Sequence, residues 1–359
     1  MRRRAVARED RWHADRRAAA QRYRWEDHMT SLKAFLAGGI ATSALALTLA
    51  LPASAADKVE LIYSDTVSEN DIRTTTLREA FGACLGDEFE FKSYHGATLF
   101  KLGTELTAMQ RGNLDMGNLA IFDFYNQVPS TSLLGTPFLF RDYEHMRAVY
   151  DSDVLDEMLA EIEDRAKVKI LSFPYIGARH LGYVGDARIM TPEDLDGVKL
   201  RMPPGEGWQF VGTAMGATPV PVPFAEVYTA LQTGAIDGQD NGFPATRSMK
   251  FDEVINHIGK TAHLIAANEF TISLKKWDSL TQAQQEKMQG CADNFEAALD
   301  KITLDQEAEL EADMAANGLD IYTPDNEAFQ THVIAVYQDS KYSADWPEGL
   351  VDAILAVGK

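Results

Sequence analysis

The stretch Leu195–Pro244 reads LDGVKLRMPPGEGWQFVGTAMGATPVPVPFAEVYTALQTGAIDGQDNGFP. Its rhythm decides the fold class. Leu195 to Arg201 leads into a strand, Glu206 to Met215 has helical periodicity, and Ala217 to Val220 returns as a strand. A second helix is expected over Phe224–Gln232, with Gly234 placed for a left-handed cap, and Ala235–Asp237 as a short strand. Arg201 closes the first strand and faces Met202-Pro203-Pro204-Gly205, a loop that stays stiff and open. A guanidinium so placed can grip a carboxylate through two parallel hydrogen bonds, and the following helix points its positive end the same way. A surface ion pair is the competing reading of Arg201, and spacing alone leaves both standing.

The same alternation extends in both directions. Val59–Tyr63 and Glu88–Tyr94 read as strands, Asp71–Cys84 and Thr104–Gln110 as helices, and Leu114–Met116 as the start of a strand. Asp142–Ala166 reads as one long amphipathic helix, followed by a buried strand at Val168–Leu171. Phe270–Leu274 is another apolar run. Thr281 to about Ala315 reads as one helix, with Thr281 and Gln284 in capping-box positions. At roughly 45 Å it would exceed one small domain. Strand–helix alternation implies α/β layers with largely parallel strands. Two such lobes with no linker imply chain crossings and a cleft between them, where small ligands bind.

Composition narrows the function. The 359 residues carry a formal charge of −20, which disfavours nucleic acid as a partner. Residues 1–55 hold ten Lys/Arg against five Asp/Glu, so the remaining chain carries −25. From Met29 a short basic region, an apolar run over Ala34–Leu51 and the small residues Ala53-Ser54-Ala55 form a secretory signal. Cleavage is expected near Ala55/Ala56, and residues 1–28 read as an over-extended start. Export permits a disulfide between the two cysteines, Cys84 and Cys291, but sequence leaves their pairing open. No nucleophile elbow, zinc-protease helix, P-loop or dinucleotide glycine turn is present. Asp237 and Asp240 flank Gly238 and read as turn chemistry.

The block above, with Glu105–Asn118 (ELTAMQRGNLDMGN), resembles the extracytoplasmic solute receptors of tripartite ATP-independent periplasmic (TRAP) transporters, in the C4-dicarboxylate-receptor (DctP-type) branch. PFAEVYTALQTGAIDGQDN carries most of the likeness, following the pattern F-x-E-V-Y-x-A-L-Q-T-G-x-(I/V)-D-G-x-(E/D)-N. The likeness spans about residues 57–345. It implies a two-domain periplasmic-binding-protein fold, with an interdomain cleft and a long helix across both domains. The domains would be 57–178 with 267–306, and 179–266 with 307–359. It also implies a carboxylate clamp at Arg201, a hydrogen bond from Asn241, a second basic contact from Arg179, an apolar wall at Phe224 and a distal contact near Asp65. Trp208 could stack on a bulky ligand or pack in the core.

Two departures stand out: Asp240 replaces the commoner glutamate, and Gly242 stands where proline often follows. Asp65 is acidic, which fits poorly with a dianionic ligand. The implied protein is not an enzyme and needs no cofactor or metal. It is a periplasmic, monomeric receptor that delivers a small organic carboxylate to TRAP permease subunits in the membrane. The alternative is a ligand-sensing receptor that feeds a membrane sensor kinase.

Overall fold

The computed structural model describes residues 58–358; the signal segment and its cleavage point lie outside them. Two mixed sheets organise the chain. The first runs β2 (Phe89–Tyr94), β1 (Val59–Ser64), β3 (Met116–Leu119), β10 (Glu269–Ser273), β4 (Val168–Ser172). The second runs β11 (Asp320–Tyr322), β9 (His257–Ala267), β5 (Tyr175–Tyr183), β8 (Gly238–Asn241), β6 (Lys199–Met202), β7 (Thr218–Pro221). The β1–β2, β1–β3, β6–β7 and β6–β8 pairs are parallel, as strand–helix alternation requires. Antiparallel pairs arise where the chain crosses between lobes: β10 on β3 and β4, and β5 on β8 and β9. This makes the sheets more mixed than the expected largely parallel layers.

The crossing is built with care. Phe173 and Pro174 link β4 to β5, and Asn268 links β9 to β10. Asn268 N–H donates to the Pro174 carbonyl at 3.1 Å, tying the two crossings together. β5 joins the second sheet from its first residue, Tyr175, so this crossing falls ahead of residue 178.

The long helix spans Gln282–Ala316, and its Thr281/Gln284 capping box forms as the sequence indicates. Its 35 residues extend about 52 Å. Met288, Cys291, Phe295 and Leu299 pack into the core of the first lobe with Leu61, Tyr63, Phe81 and Phe270. Met314 reaches the core of the second lobe with Val227, Phe251 and Phe224. Between these ends the helix turns carboxylates toward the crossing strand. Glu296 accepts from Phe173 N–H, Asp300 from Tyr175 N–H at 2.7 Å, and Glu307 from Ala178 N–H at 2.8 Å. Backbone donors at a sheet-to-sheet crossing have no ladder partner, and these side chains supply one.

Three sequence expectations are corrected. Asp142–Ala166 is two helices, Tyr143–Tyr150 and Asp156–Ala166. Asp151-Ser152-Asp153 breaks them: Ser152 Oγ bonds back to the Val149 carbonyl and accepts from Val154 N–H. The strand placed at Ala235–Asp237 lies instead at Gly238–Asn241, because Ala235 N–H still caps the preceding helix on Ala230. Asp240 therefore stands in the middle of a buried strand and not on a turn. The final helix, Leu350–Ala356, contacts the segment near residue 141: Arg141 donates to the Leu355 and Val357 carbonyls, and His145 Nε2 bonds Ile354 O.

Cys84 and Cys291 form a disulfide with Cα atoms 5.6 Å apart, settling the pairing that sequence left open. It ties the helical segment 72–85 to the long helix across 207 residues. Replacing both cysteines by serine is expected to lower unfolding stability by on the order of 2–5 kcal/mol. Urea unfolding followed by circular dichroism would measure this, and reduction of the unmodified protein should reproduce it.

Candidate functional site

The cavity between the lobes is lined by all six residues singled out in the sequence: Asp65, Arg179, Arg201, Trp208, Phe224 and Asn241. Strand ends place most of them. Asp65 follows β1, Arg201 is the next-to-last residue of β6 before Met202 and Pro203, and Asn241 ends β8. Register sets the rest: β5 and β8 pair with His180 opposite Asn241 and Leu181 opposite Asp240, bringing Arg179 beside the end of β8. Polar strand ends at a cleft are where a ligand meets fixed donors.

Arg201 is the most unusual group. It is 1 % exposed, its Nε donates to the Val222 carbonyl at 2.8 Å, and its buried Nη2 has no hydrogen-bonding partner among the described residues. Burial draws its pKa down to about 9; Asp240 opposes that shift and Arg179 adds to it. The group stays protonated at neutral pH. A buried cation lacking a contacting counter-ion is costly, and it marks where an anion would be stabilised.

Arg179 differs. Its Nε and Nη2 hold both Asp240 carboxylate oxygens, at 2.8 and 2.9 Å, and Nη2 also reaches the Asp240 carbonyl. His263 Nε2 meets the same carboxylate at 3.1 Å, and its Nδ1 meets Thr261 Oγ1 at 2.7 Å. Burial alone would raise the Asp240 pKa, but Arg179 and His263 hold it well below the usual carboxylate range. Arg179 is thus neutralised by its own lobe.

The walls are aromatic. Arg201 lies over the Phe224 ring at 5.7 Å and Arg179 over Trp208 at 5.1 Å. Trp208 also packs edge-on against Phe122, so it both lines the cavity and helps close it. A Cβ on Gly207 would fall 2.3 Å from the Phe122 ring, so glycine there permits the close approach.

Asp65 is already engaged: Tyr63 Oη donates to Oδ2 at 2.9 Å, and His95 Nδ1 and Val67 N–H meet Oδ1.

Sequence reasoning missed several lining residues, among them Arg73, Asn118 and Asn268. Asn118 closes the quoted ELTAMQRGNLDMGN block, and its buried Oδ1 lacks a partner, which gives it a signal of sorts. Arg73 and Asn268 had none. A wider hollow elsewhere on the second lobe is bounded by Tyr183, Asp194, Asp196 and Asp237 and has no basic side chain, so an anion would avoid it.

Residues 64–343 match the family model DctP, bacterial extracellular solute-binding protein, family 7. The chain belongs to this family. The receptor is similar to a TRAP periplasmic solute-binding protein of Roseobacter denitrificans solved with bound 3-deoxy-D-manno-oct-2-ulosonic acid (KDO). Identity is 37 % and TM-score 0.82, covering 84 % of this chain and 100 % of that one. It is 29 % identical to the sialic acid-binding periplasmic protein SiaP of Vibrio cholerae, over 70 % of this chain and 78 % of that protein. It is also 29 % identical to the 2,3-diketo-L-gulonate-binding periplasmic protein YiaO of Escherichia coli, over 75 % of this chain and 81 % of that protein. Family 7 membership makes it an extracytoplasmic receptor of the TRAP type, which captures a small organic carboxylate and delivers it to a membrane permease for uptake. No helix among the described residues is long and apolar enough to cross a membrane.

Behind the first-lobe wall lie three buried carboxyls. Burial raises Glu105 to about 7 and Asp123 to about 6, and raises Glu269 well above its ordinary value; mutual repulsion adds to each effect on Glu105 and Glu269. An acid whose pKa is raised on folding keeps its proton longer in the native state. Its stabilising contribution is complete below the unfolded value and is lost as pH rises through the folded one. For Glu105 that window runs from about pH 4.5 to about pH 7. Glu105→Gln is therefore expected to gain stability at pH 8 relative to pH 5, by about 1–3 kcal/mol. Paired denaturant titrations of variant and parent at the two pH values would show the difference.

Proposed function

We propose that the cargo is a polyhydroxylated acid bearing a single carboxylate, a sugar acid, and that Arg201 clamps its carboxylate. The buried Arg201 guanidinium, whose Nη2 has no hydrogen-bonding partner among the described residues, carries this reading. Among the arginines lining the cavity, Arg179 is paired with Asp240 and Arg73 with Asp71, which leaves Arg201 for an incoming anion. A second carboxylate would have to approach Asp65, whose like charge disfavours it. Asn118, Asn241 and Asn268 suit hydroxyls, which both donate and accept. The acids named for the three relatives each carry one carboxylate on an oxygen-rich chain.

In this reading Asn241 shares the carboxylate with Arg201, Arg179 reaches it with the donors Asp240 leaves free, Phe224 and Trp208 form the walls, and Asp65 fixes the distal end through hydroxyls. The lobes exchange the chain at 173–174 and at 268, close to the division into 57–178 with 267–306 and 179–266 with 307–359 that the family likeness implies. The cargo stabilises the closed form by binding it better than the open one. The receptor acts as a monomer, catalyses nothing, needs no metal or cofactor, is released to the periplasm by cleavage near Ala55/Ala56, and docks in its closed form on the permease subunits.

Calorimetry with KDO tests the clamp. Arg201→Ala is expected to cost on the order of 2–5 kcal/mol of binding, because the anion is left poorly paired. Arg201→Lys should recover little, since an ammonium cannot reproduce the planar fork. Binding by Arg201→Ala as tight as by the parent would refute the assignment, as would preference for succinate over every sugar acid tried.

A further inference from the structure

Arg73 belongs to no motif in the sequence, yet it stands in the cavity wall. It is the second residue of the helical segment that starts at Ile72, in the lobe of the first sheet. Asp71, the N-cap of that segment, grips it side-on: Arg73 Nε donates to Oδ1 and Nη2 to Oδ2, both at 2.7 Å, and the Arg73 backbone N–H joins at 2.9 Å. Burial would raise the Asp71 pKa, but the Arg73 charge and hydrogen bonds bring it down to about 2. The pair is therefore ionised, and neutral overall, across physiological pH.

Two contacts carry this pair to the other lobe. Ser248 Oγ, at the end of the helix Phe243–Ser248, donates to Asp71 Oδ2 at 2.6 Å. The Arg73 guanidinium lies over the Phe224 ring at 5.9 Å, sharing that ring with Arg201. Asp71 occupies only Nε and Nη2, and no hydrogen bond from a described residue reaches Nη1, which keeps two N–H donors. Arg73 thus has spare donors, a cancelled charge and a position touching both lobes.

We propose that Arg73 is a specificity-determining residue for uptake, a second guanidinium that reads a non-ionised oxygen of the bound sugar acid and joins the lobes over it; this rests on the assignment of the cavity to such an acid. Cancellation of its charge by Asp71 is what sets the preference. A free guanidinium at this place would recruit a second carboxylate, whereas the paired one donates to a hydroxyl or carbonyl. Asp71 is then a positioning residue, and Ser248 and Phe224 are the features of the opposite lobe that the pair meets on closure.

The charge argument gives a test that loss of packing would not imitate. The probes are KDO and D-galacturonate as monoanions and galactarate as a dianion, titrated calorimetrically, with release rates by stopped-flow fluorescence. Arg73→Met keeps an unbranched stem and is expected to weaken the monoanions at least tenfold, chiefly through faster release. Asp71→Asn keeps a good N-cap and the contact to Ser248 while unmasking the arginine. It is expected to shift the preference between the tighter monoanion and galactarate at least tenfold toward galactarate. Monoanion affinities within twofold of the parent in Arg73→Met would overturn the proposal, as would equal weakening of mono- and dianions in Asp71→Asn. If Arg201→Ala loses binding while either of those results is obtained, the sugar-acid reading stands and the role of Arg73 alone falls. If the unmodified chain takes up no monoanion, both fall.

Discussion

A guanidinium buried to 1 % exposure with one carbonyl partner is the constraint around which the site is arranged. Desolvating a charge without a counter-ion opposes folding, so its neighbours must not add to the cost. Arg179 is one such neighbour, and its charge would repel Arg201 if left open. Asp240 cancels it through a side-on pair, and His263 and Thr261 fix Asp240 from behind. The whole of β8, Gly238-Gln239-Asp240-Asn241, is buried although three of its four residues are polar. A strand of that composition is stable inside a protein only when each polar group is matched, and here the matching partners are site residues.

The second requirement is that the two halves of the cavity meet in a repeatable way. Near its midpoint the long helix meets it with a row of carboxylates beside the core-packed Phe295 and Leu299. Glu296, Asp300 and Glu307 lie on one face and take up Phe173, Tyr175 and Ala178 N–H groups, while Thr303 Oγ1 donates to the Tyr175 carbonyl. Hydrogen bonds fix the direction of a strand more tightly than dispersion contacts, which are non-directional. The disulfide holds the same helix to the 72–85 segment, which carries Arg73 and is capped by Asp71, so the first-lobe wall inherits the position of the helix.

The architecture was legible where apolar periodicity carried it. The long helix, its capping box and the β6–helix–β7 unit follow from patterns that burial enforces. The six site residues were legible only through likeness to a family block, since Arg201 alone reads equally as a surface ion pair. The strand error has a physical origin distinct from the helix break at Asp151–Asp153. β8 was placed three residues early because its residues are polar, and apolar alternation cannot reveal a strand buried for its hydrogen bonds. β5 and β9, the long crossing strands, mix glycine, histidine and charge for the same reason. Arg73 lay beyond reach because its position depends on Asp71, Phe224 and Ser248, two of which are far along the chain.

A chain with a net charge of −20 that gathers anions requires a physical account. Surface carboxylates act through water and salt, and at physiological ionic strength their influence fades over about 8 Å. Inside the cleft the balance is set locally, where a low dielectric strengthens each nearby charge. Burial also suppresses carboxylates behind the first-lobe wall: Asp123, which caps the cavity-lining Ala120 N–H, and its neighbour Glu105 hold protons to about pH 6 and 7. Asp240 and Asp71 stay ionised, but each is consumed by an arginine. What an approaching acid meets at short range is the residual field of Arg201. The acidic exterior therefore keeps the receptor soluble without deciding what it binds, and recognition depends on which buried charges are left unpaired.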